Sequence, residues 1–361
     1  MKILQVITSL STGGAEKLVS ELAPMLRDKG NQVDVCVFDG AETDFKQELV
    51  DKGIKVYSFG KHCNVYNPLF IFKLLKLMRN YDIVHTHNTA PQLFAAIGSV
   101  LCSVVLCTTE HNTSNRRRGL KWYVPIDKWM YSRYSKVISI SDATTVALKK
   151  YVDIKSPVVT ISNGIDLKEF STAYAVSKSE LGCREGAFLL MMVAGFRYQK
   201  DQDTIIRAMR LLPENVQLCL VGDGVRKTQC ESLAKSLGVA DKVVFTGIRS
   251  DVPNVLKAAD VVVMSSHYEG FGLAAVEGMA AGKPVVASDV AGLGDIVRNY
   301  GLLFPHSNYK ALAAIIKKLP DDKENYKQVA DKCWERAQMF DIQKMVDAYS
   351  DVYNELYAFS H

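Results

Sequence analysis

The sequence predicts an α/β protein made of two doubly wound parallel sheets, each covered by helices on both faces. Short and almost wholly apolar segments, such as 188–193 and 216–221, alternate with segments of helical periodicity. That pattern is typical of buried parallel strands. The alternation is interrupted by a polar segment at 166–186 and then restarts. Since 361 residues are enough for two cores, we expect two Rossmann-like domains.

The predicted elements follow the chain in order. In the first half, strands are predicted at 3–8, 33–38, 54–59, 83–86, the end of 91–109, 137–141 and 158–161, with helices at 15–29, 45–52, 69–79 and the start of 91–109. In the second half, strands are predicted at 188–193, 216–221, 243–246, 261–264 and 285–287, separated by helices and followed by helices at 308–318, 323–337 and 341–358. We therefore place one domain at 1–165 and the other at 166–340.

The last predicted helix has one apolar stripe, which indicates that it docks against another part of the chain. The residues of this stripe are Ile342, Met345, Val346, Tyr349, Val352, Tyr353 and Leu356.

Composition narrows the class of protein. Hydrophobic residues make up 48% and charged residues 23%, as in an ordinary globular protein. The longest apolar run, 93–107, is too short to span a bilayer and is broken by Gly98. Lys2 is followed by a strand without an apolar leader, and the eight cysteines contain no C-x-x-C pair. We therefore expect a cytoplasmic protein with reduced cysteines.

The most informative stretch runs from Glu269 through Gly-Phe-Gly-Leu-Ala-Ala-Val to Glu277. It follows a predicted strand and opens a helix, so free backbone N–H groups lie where an anion binds readily. We expect Glu269 in the loop and Glu277 about two turns into the helix, where both carboxylates can accept hydrogen bonds from vicinal hydroxyls. By pattern alone, a nucleotide-sugar site and an ordinary βαβ unit with two surface glutamates are equally compatible with this stretch.

Two further loops contain residues suited to binding phosphate. Gly13 and Gly14 separate the first strand from the first helix, where glycine allows close approach to a ligand. Arg197 and Lys200 follow the strand at 188–193 and can clamp a pyrophosphate. The dinucleotide fingerprint G-x-G-x-x-G is absent, which argues against a dehydrogenase.

Together with the Glu269–Glu277 stretch, a series of motifs in fixed order resembles the retaining glycosyltransferases of family 4, which have the GT-B fold. These motifs are Thr12-Gly-Gly-Ala-Glu16, His85-Thr-His-Asn88, Thr109-Glu-His-Asn112, Ser162-Asn-Gly-Ile-Asp166, Gly195-Phe-Arg-Tyr-Gln-Lys200 and Leu220-Val-Gly-Asp-Gly224. The resemblance implies transfer of a sugar from a UDP- or GDP-linked donor to a hydroxyl acceptor in a cleft between the domains. It also implies that the terminal helix, 341–361, crosses back to the first domain.

The resemblance also assigns roles to residues. It implies that His111, Glu269, Arg197 and Lys200 act on the reacting sugar and the leaving diphosphate. The donor-binding residues it implies are Gly14, Arg197, Lys200, Ile248, Glu269, Gly270, Phe271, Gly272 and Glu277. Because the two cations replace a metal ion, we expect no metal and no other cofactor. The sequence Gly292-Leu-Gly294-Asp295 departs from the adjacent glycines common in relatives, which leaves the donor sugar open.

Several acidic and histidine side chains allow other interpretations. Asp201 and Asp203 could bind a divalent metal, but their place at a predicted helix start favours helix capping. His85 and His87 flank a short strand, and we expect their side chains on opposite faces.

A basic and aromatic segment spans 116–136 and contains Arg116, Arg117 and Arg118, opposed only by Asp127. With Gly13 and Asn112, we assign these arginines to the acceptor side. The segment suits peripheral contact with an anionic inner membrane and a lipid-linked or saccharide acceptor. A solvated helix with its aromatic side chains in the core is equally compatible, and nucleic acid is disfavoured.

Three alternatives remain at this level. The chain could be a nucleotide-sugar epimerase of the same fold, an inactive sugar-binding partner in a polysaccharide assembly complex, or a dehydrogenase. We expect a transferase in bacterial surface polysaccharide or glycolipid synthesis.

Overall fold

The computed structural model describes residues 1–11, 13–114 and 116–360, with only the backbone described for Arg116 and Ser360. The chain folds into two compact units. Unit 1 comprises residues 1–163 together with 343–361, and unit 2 comprises residues 164–342.

Unit 1 is built on a seven-stranded parallel sheet in the order β3-β2-β1-β4-β5-β6-β7. Its strands are β1 (Lys2–Ile7), β2 (Gln32–Asp39), β3 (Lys55–Gly60), β4 (Ile83–His87), β5 (Val105–Glu110), β6 (Lys136–Ser139) and β7 (Val158–Thr160). Its helices are α1 (Gly14–Asp28), α2 (Asp44–Asp51), α3 (Leu69–Met78), α4 (Thr89–Gly98), α5 (Val124–Ser132) and α6 (Asp142–Tyr151).

Unit 2 repeats this architecture with a six-stranded parallel sheet in the order β10-β9-β8-β11-β12-β13. Its strands are β8 (Phe188–Val193), β9 (Val216–Val221), β10 (Val243–Gly247), β11 (Val261–Met264), β12 (Val285–Ser288) and β13 (Leu302–Phe304). Its helices are α7 (Leu167–Thr172), α8 (Gln202–Ala208), α9 (Lys227–Ser236), α10 (Val252–Ala258), α11 (Leu273–Ala280), α12 (Leu293–Val297), α13 (Tyr309–Lys318) and α14 (Lys323–Ala337).

The strand order reverses once in each sheet, between β1 and β4 in unit 1 and between β8 and β11 in unit 2. In open parallel sheets, ligands bind beyond the carboxyl ends of the strands at this point, because the loops there diverge and leave a crevice. The predicted fold class, with two Rossmann-like domains and parallel sheets, is confirmed.

Close packing of helices on the sheet fixes the position of these loops. In unit 2, a Cβ atom added to Gly278 of α11 would lie 2.8 Å from Val262 of β11, so this helix lies nearly in contact with the strand it follows. The last helix, α15 (Ile342–Ser360), belongs to unit 1 from residue 343 onward, and its Tyr349 and Tyr353 are fully buried there.

The cysteines are all free thiols, and six of the eight are buried. Over the described ranges 1–11, 13–114 and 116–360, no helix combines the length and apolarity that a bilayer span needs.

Candidate functional site

In unit 2, Lys200 and Glu269 meet at the carboxyl edge of the sheet. Lys200 ends a short 3-10 turn (Tyr198–Lys200) after β8, and Glu269 lies in the loop between β11 and α11. The Lys200 ammonium donates to Glu269 Oε1 over 2.6 Å, and the Ser266 hydroxyl donates to the same oxygen over 2.7 Å. The Glu269 side chain is only 7% exposed and that of Lys200 is 23% exposed. Two predicted site residues that are distant in sequence are therefore in direct contact.

Glycines shape the loop that contains Glu269. Gly272 precedes α11 with a φ of 103°, in the left-handed region that favours glycine. A Cβ atom on Gly292, whose φ is 80°, would lie 2.6 Å from the Glu269 carbonyl oxygen. Phe271 is buried and packs edge-on against Phe340, with ring centroids 5.2 Å apart. The loop at 269–272 is therefore pressed against the segment where the sequence departs from the family pattern.

Glu277 lies nearer the start of its helix than predicted. It is the fifth residue of α11, slightly more than one turn from the helix start, and its side chain is buried. The prediction of two turns was wrong because α11 begins at Leu273, after the Glu269–Gly272 loop, and not within it. The residue at the N-cap of α11 is Gly272, which has no side chain to cap the helix.

Arg197 is exposed on a segment that the neighbouring loop holds in place. The Ala194 N–H donates to the carbonyl of Val221, the last residue of β9, and the Phe196 N–H donates to that of Asp223 in the following loop, each over 2.9 Å. Within the described residues, no side-chain hydrogen bond or ion pair involves Arg197, so its guanidinium is available to an anion. Ile248 follows β10 and is 66% exposed.

Asp201 and Asp203 do not cap α8, and their carboxylates do not face a common point. Asp201 precedes α8 with a φ of 49° and makes no side-chain capping hydrogen bond, so the capping interpretation of Asp201 was wrong. Its Oδ2 accepts from the Thr204 hydroxyl over 2.6 Å. Asp203 faces away and forms two hydrogen bonds of 2.9 Å with Arg226. With this left-handed backbone, the Asp201 carboxylate bonds the Thr204 side chain in the first turn of α8 and not a backbone N–H group.

In unit 1, His111 begins a buried chain of hydrogen bonds. His111 Nε2 lies 2.9 Å from His87 Nδ1, and His87 Nε2 lies 2.9 Å from Gln5 Oε1. The Gln5 amide donates to the Tyr353 hydroxyl over 2.9 Å, and that hydroxyl lies 2.5 Å from His85 Nδ1. The chain continues from His85 Nε2 to the Thr109 hydroxyl at 2.8 Å, and from there to the Tyr349 hydroxyl at 3.2 Å.

The imidazole rings of His85 and His87 lie on the same face of the sheet, with centroids 4.3 Å apart. The prediction of opposite faces was wrong, because both residues belong to β4 and residues two apart on a strand share a face. Their proximity lets β4 and the C-terminal helix share one polar network.

The orientation of the Gln5 amide fixes the proton positions along this chain. Because its oxygen accepts from His87 Nε2–H, the Nδ1 atom of neutral His87 must accept from His111 Nε2–H. His111 Nδ1 is then an unprotonated nitrogen, and it is buried with no hydrogen-bond partner among the described residues. Burial lowers the pKa of His85 to about 3 and that of His111 to about 4, and it holds the pKa of His87 well below its usual value. His111 is therefore neutral at physiological pH.

Glu110, at the end of β5, is surrounded by buried partners. It accepts hydrogen bonds from Tyr131 at 2.7 Å, Gln92 at 2.6 Å and Arg118 at 2.8 Å. Burial alone would raise the pKa of Glu110, but the charges of Arg117 and Arg118 more than offset burial and lower it. Glu110 therefore stays ionised and fixes the segment that follows β5.

Arg117 and Arg118 are buried, so the prediction that their side chains face an anionic membrane is wrong, while their assignment to the acceptor side stays a prediction. Both side chains are 7% exposed. Arg117 Nε lies 3.1 Å from Asp127 Oδ2, and Arg118 pairs with Glu110. The prediction failed because it counted only Asp127 as an opposing charge and did not include Glu110. The Arg116 side chain lies outside the described residues.

The remaining predicted residues of unit 1 lie around the same sheet edge. A pocket beside the start of α4 is lined by Asn88, Thr89, Gln92, Thr109, Glu110, His111 and Asn112. Gly14 begins α1, and the N-cap residue of that helix is Gly13, which has no side chain. Gly13 is extended, with a φ of 179°, so its backbone does not require glycine, but an added Cβ would lie 2.2 Å from the Glu16 carboxylate. Sequence reasoning missed Gln5, Gln92 and Tyr131, because polar residues inside apolar segments gave no motif.

We expect Tyr353→Phe to destabilise unit 1 by about 1–3 kcal/mol, because it leaves the buried Gln5 amide and His85 Nδ1 without a partner. Tyr349→Phe is the matched control, since it removes a single bond of 3.2 Å and should cost only about 0.5–1.5 kcal/mol. Denaturant unfolding followed by tryptophan fluorescence in a Trp334→Phe background reports unit 1 through Trp122 and Trp129. Equal effects of the two variants would contradict the network.

Acidification should destabilise unit 1 through its buried histidines. Their folded-state pKa values lie below the unfolded value of about 6.5, so below that pH the unfolded chain binds more protons than the native state. Stability should fall as pH drops from 6.5 to 5, by about 1.4 kcal/mol per pH unit for each such histidine. The same fluorescence measurement should show a smaller slope in His85→Gln. An unchanged slope would mean that His85 is protonated in the folded state.

Regions of both units match known protein families. Residues 12–169 match the family described as Glycosyltransferase Family 4, and residues 175–335 match the family described as Glycosyl transferases group 1. The chain is 28% identical over 291 residues to EpsD of Bacillus subtilis, covering 76% of each chain. It is 26% identical over 354 residues to the UDP-Gal:alpha-D-GlcNAc-diphosphoundecaprenol alpha-1,3-galactosyltransferase of Escherichia coli, covering 89% of this chain and 88% of that one.

Among solved structures, HepE of Anabaena in complex with UDP and glucose superposes with a TM-score of 0.88 at 25% identity. The match covers 98% of this chain and all of HepE. A further crystal structure of HepE contains UDP-glucose. Since the two family regions cover most of the chain and the likeness extends over its full length, the chain belongs to the family 4 glycosyltransferases of GT-B fold.

Proposed function

We propose that this chain is a retaining glycosyltransferase that moves a hexose from a UDP-sugar to a hydroxyl of a lipid-linked acceptor in bacterial polysaccharide or glycolipid synthesis. The choice of UDP is supported by the UDP and UDP-glucose bound to HepE and by the name of the Escherichia coli relative. The observation that carries the proposal is the contact between Lys200 and Glu269 at the switch point of the unit 2 sheet.

The proposed donor contacts follow from that contact. Arg197 and Lys200 bind the diphosphate, since guanidinium and ammonium groups form charge-assisted hydrogen bonds with phosphate oxygens. A diphosphate competes with Glu269 for the Lys200 ammonium. Glu269 Oε1 is then freed to accept from sugar hydroxyls while Ser266 holds the carboxylate in place. Glu277 accepts from the ribose hydroxyls.

We propose attack on the same face from which the diphosphate leaves. The acceptor oxygen bonds to the anomeric carbon as the bond to the diphosphate breaks, and the acceptor proton passes to a donor phosphate oxygen. Arg197 and Lys200 neutralise the charge that develops on the leaving group. In this proposal Glu269 accepts from the sugar hydroxyls while Ser266 holds its Oε1, and it forms no covalent bond to the sugar. His111, being neutral, contacts the transferred sugar through a hydrogen bond.

The same cations support turnover without a divalent metal. Asp203 is held by Arg226, so the acidic pair after Lys200 does not present two free carboxylates to a diphosphate-bound ion. We expect activity to persist in excess EDTA. Loss of activity in EDTA that Mg²⁺ or Mn²⁺ restores would contradict this part of the proposal.

Mass spectrometry of a panel of UDP- and GDP-sugars incubated with the protein tests the activity. Slow release of UDP and free sugar from one UDP-sugar is expected, together with a glycosylated lipid when the acceptor is present. An epimerase would return an isomeric nucleotide sugar, and a sugar-binding partner would leave every donor intact. Lys200→Ala should lower kcat by about 10²–10³ through lost electrostatic stabilisation of the leaving group. Lys235→Ala, an exposed lysine of α9, is the matched control.

The segment between Leu120 and Arg133 supports peripheral contact with a membrane, through residues other than the buried arginines. Trp122 is 66% exposed and Trp129 is 41% exposed. Leu120 and Ile126 are also exposed, and the nearby cations are Lys121, Lys128 and Arg133. Tryptophans next to cations are typical of surfaces that bind the headgroup region of anionic bilayers.

We expect the protein to pellet with vesicles that contain phosphatidylglycerol and to detach in high salt. The double variant Trp122→Ser/Trp129→Ser should lower the partition coefficient at least about tenfold, since burying roughly 60 Å² of apolar ring surface contributes about 1.5 kcal/mol. Trp334→Ser is the matched control, because Trp334 is 51% exposed but lies in unit 2. Equal loss in both variants, or none, would contradict a membrane surface at this segment.

A further inference from the structure

Three side chains of unit 2 converge at the carboxyl edge of its sheet without a role in the proposed reaction. Asp201 follows β8, His267 follows β11 and His306 follows β13, so each comes from a different loop. His267 Nδ1 lies 2.7 Å from His306 Nε2 and 3.6 Å from Asp201 Oδ2. One ligand atom from each residue lies within 4.8 Å of the other two. Two imidazoles and a carboxylate thus face one point.

The distances are close to those of a tetrahedral metal shell. With metal–ligand bonds of about 2.0–2.1 Å, neighbouring ligand atoms lie about 3.3 Å apart. The two distances from His267, 2.7 and 3.6 Å, lie on either side of that value, and all three ligand atoms lie within 4.8 Å of one another, so side-chain shifts of about 1–1.5 Å would admit an ion. The 2.7 Å contact is a hydrogen bond, so its proton must move to the other nitrogen of the donor ring before both facing nitrogens can bind an ion.

Neighbouring side chains hold Asp201 and His267 in place. The Thr204 hydroxyl donates to Asp201 Oδ2 over 2.6 Å, and the Ser265 hydroxyl donates to the Asp201 carbonyl over 2.7 Å. The Tyr198 ring stacks against His267 with centroids 4.5 Å apart. Such outer contacts orient metal ligands and raise affinity. His306 is exposed, which leaves a coordination position open to water.

We propose that Asp201, His267 and His306 bind a borderline transition-metal ion such as Zn²⁺, Ni²⁺ or Cu²⁺, with water completing the shell. Imidazole nitrogens suit these ions, whereas Mg²⁺ and Ca²⁺ prefer all-oxygen sites. This site differs from the sequence-level alternative of Asp201 with Asp203, because it replaces Asp203 with two histidines.

The three proposed ligands take no part in the proposed sugar transfer, but two of them are close in sequence to donor-binding residues. Lys200 directly precedes Asp201, and Glu269 follows His267 by two residues. A bound ion would tie together the loops after β8, β11 and β13 and restrict the motion of both donor-binding residues. The inference goes beyond the proposed function, since metal binding requires no turnover.

Isothermal titration of the full-length, EDTA-treated and desalted protein with Zn²⁺ tests the site. One ion per chain is expected, and His306→Ala or His267→Ala should weaken binding at least about tenfold. His306 is exposed, so its substitution leaves the fold of unit 2 intact. His62→Ala, an exposed histidine of unit 1, is the matched control and should bind as the wild type does.

Thiols are the competing ligands for Zn²⁺. Cys63 and Cys102 are the two cysteines that are not buried, so Cys63→Ser/Cys102→Ser should retain the site. Cu²⁺ titration followed by electron paramagnetic resonance should show coupling to two imidazole nitrogens, reduced to one in His306→Ala. Undiminished affinity in both histidine variants, loss in the cysteine variant, or no binding below millimolar Zn²⁺ would each overturn the proposal.

Discussion

A carboxylate buried at the carboxyl end of a parallel strand must be neutralised, and both candidate sites depend on that constraint. In each unit the loop after a strand supplies a cation and a nearby residue supplies a hydroxyl. Glu110 has Arg118 and Tyr131, and Glu269 has Lys200 and Ser266. The two sites differ in access. The cations around Glu110 are buried, so its network is saturated and structural. Lys200 is partly exposed, so a ligand can compete with Glu269 for its ammonium group.

Burial at the same sheet edge explains why His85, His87 and His111 are neutral. No acidic side chain belongs to the hydrogen-bonded chain from His111 through Gln5 to Tyr349, and burial disfavours an imidazolium in it. In the proposed reaction, a neutral His111 orients a sugar hydroxyl without adding positive charge. Because Tyr353 belongs to the C-terminal helix, the geometry at His111 also depends on a segment more than two hundred residues away in sequence.

The sequence predicts the sheets well because the apolar strands are nearly continuous and the βα loops follow them. It also brings Lys200 and Glu269 to one edge, since strands that flank a switch point end side by side. For residues outside recognised motifs, the sequence does not predict which way the side chain points. Arg117 and Arg118 were assigned to the surface because Glu110, their partner, lies on a strand whose inward-facing residues the pattern does not reveal. The left-handed turn at Asp201, which removes it from its helix, has no signal in an aspartate.

The segment after β5 reverses the usual arrangement of charge and apolar surface. Arg117 and Arg118 point inward to Glu110 and Asp127, whereas Trp122 and Trp129 are exposed. Leaving two large aromatic side chains in water forgoes the favourable burial that the fold could have used. The inward arginines neutralise a carboxylate that the sheet edge cannot leave unpaired, so the aromatic residues cannot take their place. The exposed apolar surface beside Lys121 is therefore the observation on which the proposed contact with an anionic lipid surface rests, whereas Lys128 is paired with Asp153 at 3.1 Å.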